Sequence, residues 1–192
     1  MRVFADPTEL GSNSKLPQAV ATVCEALPGL EARTGADLLI TTLPIPASSD
    51  MLLERHLQSG MLVQLKRLND LQSSITDSRL FHDILRMRES CALPWLVCTG
   101  VLTEFEGTAV MGNIETQRSM ANNMVVINAT GRQSLSYSAV SSALLAWRYY
   151  GGYVDILSHD DLLLDWLERQ AKALVDIMAG KITELSPRAY FR

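Results

Sequence analysis

Apolar residues in this chain fall into short continuous runs separated by longer stretches of helical spacing. Ala36 to Thr41, Met61 to Leu65 and Trp95 to Val97 are such runs, of the kind found in strands buried on both faces of a mostly parallel sheet. Leu71, Ile75, Phe81, Ile84 and Leu85 follow a helical period broken by the polar Thr76-Asp77-Ser78-Arg79, which predicts a bent or two-part helix from Asp70 to near Ser90. Upstream, Leu16, Val20, Val23, Cys24 and Leu27 predict a helix with one buried face, with N-cap candidates at Ser12 to Ser14 and a stop at Pro28-Gly29. Ser48-Ser49-Asp50 opens a short helix through Gln58 that Gly60 ends.

The two ends of the chain continue the alternation. Residues 1 to 6 form a strand stopped by Pro7. Late in the chain, Ser138 caps a helix through Tyr150, Tyr153 to Leu157 forms a strand, and Ser158-x-x-Asp161 opens a final helix carrying Leu163, Trp166, Leu167, Leu174, Val175 and Met178. Residues 100 to 136 are glycine-punctuated and least regular, with Met124 to Ile127 as a candidate strand, and read as a functional or mobile loop. Strands alternating with helices imply an α/β domain of three layers. At 192 residues and 47% hydrophobic content the chain suits one core. The expected division is a single domain over residues 1 to 180, with 100 to 136 as an irregular insertion, and a tail over 181 to 192.

Composition narrows the function classes. No apolar run approaches the roughly 18 residues that a membrane span needs, so a membrane partner is not expected. The N-terminus leads into a polar loop without a signal-peptide core. Cys24, Cys91 and Cys98 make an odd count without Cys-x-x-Cys spacing, which points to reduced thiols and a cytoplasmic location. His56, His82 and His159 are scattered singly, so no zinc-ligand spacing is present. A formal charge of −4 means that any contact with nucleic acid rests on local basic patches.

Candidate chemistry centres on Val63 to Leu80, an apolar strand that ends in Gln64-Leu65-Lys66 and turns straight into a helix carrying Asp70 and Arg79. A strand end holds side chains rigidly, and a lysine there can orient an attacking water. Leu53-Glu54-Arg55-His56 offers a similar string, but it lies between a helix cap and a glycine stop and not on a strand.

These segments resemble the nuclease domain of the XPF/Hef-like (ERCC-type) structure-specific endonucleases, within the PD-(D/E)xK superfamily. The family pattern is Asp-x-x-Glu, a Gly-Asp, Glu-Arg-Lys followed by an Asp, then Ser-Ile and Asp-Gly-Arg. Here Asp6-Pro7-Thr8-Glu9 matches the first element, and Gly35-Ala36-Asp37 the second with one residue inserted. Gln64-Leu65-Lys66 stands in place of Glu-Arg-Lys, with Asp70 at the expected interval, and Ser73-Ser74-Ile75 and Asp77-Ser78-Arg79 follow. The likeness leaves out residues 44 to 60, 100 to 136 and the tail. Two positions depart from the pattern: Gln64 replaces the glutamate, and the region of Cys98-Thr99 lacks the acidic residue often found there.

The resemblance implies a three-layer α/β/α restriction-endonuclease-like fold with a central mixed sheet. It further implies a magnesium- or manganese-dependent endonuclease acting on branched or flapped DNA as a homodimer, intracellular and nucleoid-associated. Asp37, Gln64 and the backbone carbonyl of Leu65 would hold the ion, with Glu9 or Asp6 acting directly or through water. Lys66 would orient the attacking water, and Asp70 would hold Lys66 or Arg67. Arg67, Arg79, Arg86 and Arg88 would contact DNA. The alternative is a catalytically inactive module that binds DNA or a partner subunit. Plainer readings stand beside each residue: Asp6 as a turn residue, Asp37 as a strand-edge charge, Asp70 as an N-cap, Arg79 as a partner of Asp77 or Asp83, and Arg86 and Arg88 as a solvated helix face.

Overall fold

The structure, a computed structural model, describes residues 2–11, 16–43, 50–118, 123–129 and 135–181. The short apolar runs become strands of one mixed sheet. In chain order these are β1 (Arg2–Ala5), β2 (Cys24–Ala26), β3 (Leu38–Thr41), β4 (Met61–Arg67) and β5 (Leu93–Thr99), then β9 (Tyr153–Leu157) after a second sheet. That second sheet consists of β6 (Val101–Phe105), β7 (Thr108–Arg118) and β8 (Asn123–Ala129). The six-stranded sheet runs β2-β1-β3-β4-β5-β9. β3 is antiparallel to both its neighbours, and the remaining pairs are parallel.

Helices cover both faces: α1 (Pro7–Leu10), α2 (Gln18–Ala21), α3 (Leu30–Thr34), α4 (Asp50–Ser59), α5 (Leu68–Thr76), α6 (Arg79–Ser90), α7 (Tyr137–Tyr149) and α8 (Leu162–Met178). Alternation along each strand divides the core in two. Val3, Leu38, Ile40, Met61, Val63, Leu65 and Val97 pack against Val20 of α2 and against Leu163, Trp166, Leu167 and Leu174 of α8. Phe4, Leu39, Leu62, Leu96 and Val154 pack against Leu30 of α3, Leu71 of α5, Leu80, Ile84 and Met87 of α6, and Val140 and Trp147 of α7. This is the expected three-layer α/β/α arrangement around a mixed sheet.

Several expectations hold locally. The two-part helix is α5 and α6, divided at Ser78, whose φ of 60° is left-handed. The Glu54-Arg55-His56 string lies within α4 and not on a strand. Others are corrected. The helix expected through Leu27 ends at Ala21, and Cys24 to Ala26 form β2 instead, because β1 offers an unpaired edge that takes them in parallel register. The Arg2 guanidinium pairs with the Glu25 carboxylate across that edge, charge that discourages further strand addition. Residues read as an irregular insertion form β6–β8, with β6–β7 and β7–β8 antiparallel. Ser136, not Ser138, caps α7 by accepting from the Ala139 N–H at 3.2 Å. Asp161 stands at the N-cap of α8 without a side-chain cap bond. The cap candidates at 12–14 and 48–49 and the tail beyond 181 lie outside the described residues.

Candidate active site

Strand alternation decides which side chains meet. Met61, Val63 and Leu65 of β4 face α8, so Gln64 and Lys66 point to the opposite face, toward α3 and α6. Asp37 immediately precedes β3, and its backbone N–H extends the β3–β4 ladder by donating to the Val63 carbonyl at 3.0 Å. Asp37 and Gln64, 27 residues apart, are therefore cross-strand neighbours. The Gln64 Nε2 donates to Asp37 Oδ2 at 2.8 Å, and the Leu65 backbone N–H donates to the same oxygen at 2.6 Å. Both side chains are buried, Asp37 at 0% exposure and Gln64 at 2%. The Gln64 Oε1 is buried with no hydrogen-bond partner among the described residues. Leaving such an acceptor unmet costs about 1–3 kcal/mol, so it marks a place for a water, an ion or a ligand donor.

Lys66 is also buried, at 9% exposure. Directly opposite it on β5 is Cys98, whose thiol burial pushes up to about 12, so that it stays neutral. Thr99 ends β5 without an acidic group.

The first carboxylates have structural work. Asp6 is the N-cap of α1: its Oδ1 accepts from the Thr8 N–H at 3.1 Å and the Thr8 hydroxyl at 2.9 Å, and its Oδ2 from the Glu31 N–H at 3.3 Å. Burial alone would push this carboxyl up, but the bonds from Thr8, Glu31 and Leu30 outweigh it and hold it below the usual aspartate range. Its contribution to stability is thus present above the unfolded pKa and lost as pH falls through the folded one. Glu9 is buried on α1. Among the described residues, no group of three or more His, Cys, Asp or Glu side chains is placed to hold a metal.

The remaining site expectations change. Asp70 is exposed in the first turn of α5; its backbone carbonyl accepts from the Ser73 and Ser74 hydroxyls. Arg67 pairs with Asp160 at 3.6 Å instead of with Asp70. The four arginines do not form one free strip. Arg79 pairs with Asp77 at 3.2 Å. Arg86 donates to the carbonyls of Glu31, at 3.1 Å, and Ala32, and Arg88 to the carbonyl of Tyr150. The last two thus cap the C-terminal ends of α3 and α7, where the helix dipole favours cations.

One residue near the site enters the sequence reading only as a candidate partner of Arg79. Asp83, half-buried on α6, packs against Gly35: its Oδ1 lies 3.4 Å from where a Cβ on that glycine would stand. Burial raises its pKa, against the opposing pull of Lys66, then Arg86 and Arg79. A raised folded pKa means that its stabilising share exists below the unfolded pKa and is lost as pH rises through the folded one. Ionised Asp83 therefore costs stability at neutral pH. Helical spacing alone carries no signal for this, since residue 83 reaches the site only after α3 and α6 pack together.

The donor set meets the minimum for a magnesium-type ion. Such ions take hard oxygen ligands, keep several waters and need only one or two carboxylates. Asp37, the unmet Gln64 oxygen and the Leu65 carbonyl would be the oxygens to hold one, with a single carboxylate among them.

Comparison with known families matches residues 6–153 to the ERCC4 domain. The structure of XPF from Aeropyrum pernix in complex with DNA is similar in fold, with a TM-score of 0.53 and 16% sequence identity, over 96% of this chain and 68% of that one. No curated protein sequence matches the chain.

Proposed function

From the premise that the chain belongs to the ERCC4-domain family, a family of structure-specific DNA nucleases, we propose that it is a divalent-metal-dependent endonuclease hydrolysing phosphodiesters in branched or flapped DNA. The observation that carries this reading is the pairing of Asp37 with Gln64 beside Lys66, with a buried Gln64 oxygen left unmet. Asp37, Gln64 Oε1 and the Leu65 carbonyl would hold magnesium or manganese, which when bound supplies charge stabilisation at the phosphoryl oxygens and a water of lowered pKa. Lys66 orients that water and balances the charge of the scissile phosphate. Asp37 is fixed by two N–H donors on one oxygen, so it needs no reorganisation when substrate arrives. The similar A. pernix protein is bound to DNA, which supports DNA as the partner.

Purified chain with manganese or magnesium is expected to cut flap, fork and junction substrates. Asp37→Asn is expected to lower the rate on the order of 10²-fold or more, the several kcal/mol that a metal's charge supplies to the transition state. Intact substrates together with an unaffected Asp37→Asn variant sink the proposal. A second reading, the inactive DNA- or partner-binding module, is favoured by one feature: the Gln64 and Leu65 N–H groups already occupy Oδ2 of Asp37 from within. Gln64→Glu separates the two. Cleavage gained from a silent parent supports the module, and comparable cleavage by both proteins shows the amide to be a working ligand.

We also propose a homodimer through the apolar faces of α7 and α8. These helices flank opposite faces of the sheet beside β9, the edge strand. Leu145 and Tyr149 on α7 are 66% and 85% exposed, and Tyr153 and Ile156 on β9 and Val175 and Met178 on α8 are also exposed. Trp95, Tyr153 and Trp166 line a cleft at the same edge. Tyr149→Asp combined with Ile156→Arg is expected to shift the sedimenting species from dimer to monomer without loss of fold. A monomeric parent at micromolar concentration refutes the dimer. No helix among the described residues is long and apolar enough to cross a membrane.

A further inference from the structure

The sheet face that carries α8 holds chemistry the candidate active site does not use. Near the open edge, Trp95 of β5 stacks on Tyr153 of β9, with ring centroids 4.9 Å apart and planes at 18°, and Trp166 of α8 meets Trp95 edge-on at 5.4 Å. Asp155 fixes this aromatic wall, because its Oδ2 accepts from the Trp166 indole N–H at 2.6 Å. Together with Arg169 and Gln170 these residues line a cleft of about 530 Å³, within the range of small-ligand sites.

The remaining polar groups of the cleft lack partners in the fold. Asp165, a turn back on α8, gives Arg169 only its backbone carbonyl, which accepts from Nε at 3.3 Å. The Arg169 guanidinium pairs with no carboxylate among the described residues, and the Gln170 amide makes no hydrogen bond among them. The Trp95 indole N–H is buried and also has no partner there, and such a donor marks a place for an acceptor. Tyr153 is 38% exposed, so the stack ends on a ring that solvent reaches.

These features select the occupant. An apolar side chain would leave the guanidinium and the amide unmet, and a cation would face Arg169. A planar ring with donor and acceptor edges continues the stack, and a phosphate beside it takes the arginine fork. Aromatic stacking joined to an arginine is how single strands are held without base-specific readout. A duplex keeps its bases stacked inside, so only an unpaired nucleotide can enter. Lys172, exposed three residues beyond Arg169 on the same side of α8, offers a second cation for the next phosphate.

We propose that this cleft seats a nucleotide of single-stranded DNA, its base stacked on Tyr153 and its phosphate on Arg169, with the neighbouring phosphate on Lys172. It lies on the face of the sheet opposite Gln64 and Lys66, so it holds substrate and takes no part in the reaction. Its use, keeping the unpaired arm of a branched substrate, rests on the nuclease reading above; the binding itself does not.

The test titrates the full chain in EDTA with a short oligothymidylate, a duplex of equal length and thymidine monophosphate, reading tryptophan emission. Trp147 is completely buried, so quenching reports on Trp95 and Trp166. The oligothymidylate is expected to quench saturably and to bind about tenfold more tightly than the other two. Tyr153→Ala should weaken it about tenfold or more, in the range of a lost stacking ring, and Tyr153→Phe should keep the affinity. Arg169→Gln and Lys172→Gln should each weaken binding and lower the salt dependence of log K by about 0.7, as for one phosphate contact on a single strand. No saturable quenching, or variants that bind like the parent, overturns the proposal. Equal affinity for the mononucleotide makes the occupant a free nucleotide, and loss of binding as the protein is concentrated makes it a second copy of the chain; either result overturns the strand. Because no metal is present, binding without cleavage in later assays means that the nuclease reading has failed while the cleft stands, and cleavage without this binding means the reverse.

Discussion

Trp147→Ala is expected to lower the stability of this protein by about 3–5 kcal/mol, the range for deleting a large buried aromatic. Trp147 on α7 is completely buried and sits where three elements meet. A Cβ on Gly152 would collide with its indole ring and come within 2.7 Å of Cδ1 of Ile84 on α6. Losing the ring opens a cavity between α6, α7 and the turn into β9, where the Gly152 backbone lies against the indole. Since domains are stable by only about 5–15 kcal/mol in total, the urea midpoint should fall by about a fifth or more. Trp147→Phe provides the internal check. The indole N–H has no hydrogen-bond partner among the described residues, so removing it sacrifices no bond, and the loss should be much smaller than for alanine. Equal losses for the two substitutions would show that the ring's packing is not what stabilises the site.

Gly60→Ala carries a comparable effect by the opposite route, overfilling instead of emptying. Gly60 joins α4 to β4, and an added Cβ would stand 2.6 Å from the His56 carbonyl oxygen and 2.9 Å from that of Ile40. Both are backbone atoms, one closing α4 and one in β3, so neither can swing aside as a side-chain tip would. The expected cost is about 3 kcal/mol or more, at the upper end for overpacking. Circular dichroism melts should show a clear drop in Tm or an unfolded product, and an unchanged melting curve would contradict the packing. The effect reaches the site, because β4 begins at the next residue and carries Gln64 and Lys66.

Much of the fold is legible in the sequence because the strands nearest the centre, β3, β4 and β5, are continuous apolar runs that mean the same thing in any context. Edge elements are less so. Cys24 to Ala26 carry a helical spacing from Leu16 onward, and they become a strand only because β1 has an open side, which no local pattern records. The site divides in the same way. Asp37, Gln64 and Lys66 were readable because their positions on adjacent strands bring them to one face by register. Asp6 is legible as a carboxylate but not as a tie to α3, since its bond from the Glu31 N–H comes from 25 residues away. Arg86 and Arg88 look like a basic strip as text. In space they are two residues apart on a helix and reach different helix ends, α3 and α7.

The second sheet alters how this chain can be edited. It departs from the end of β5 and returns just before α7, which in a linear diagram looks like an excursion that could be shortened. Yet Ala109 and Met111 of β7 are buried in the same cluster as Leu68, Leu71, Val140 and Trp147, and the Ala109 and Tyr137 backbone N–H groups tie β7 and the β6–β7 turn to the segment entering α7. The segment is a wall of the domain: a truncation across it would strip the cover from α5 and α7 and expose apolar surface, so any minimal version of this protein has to keep it.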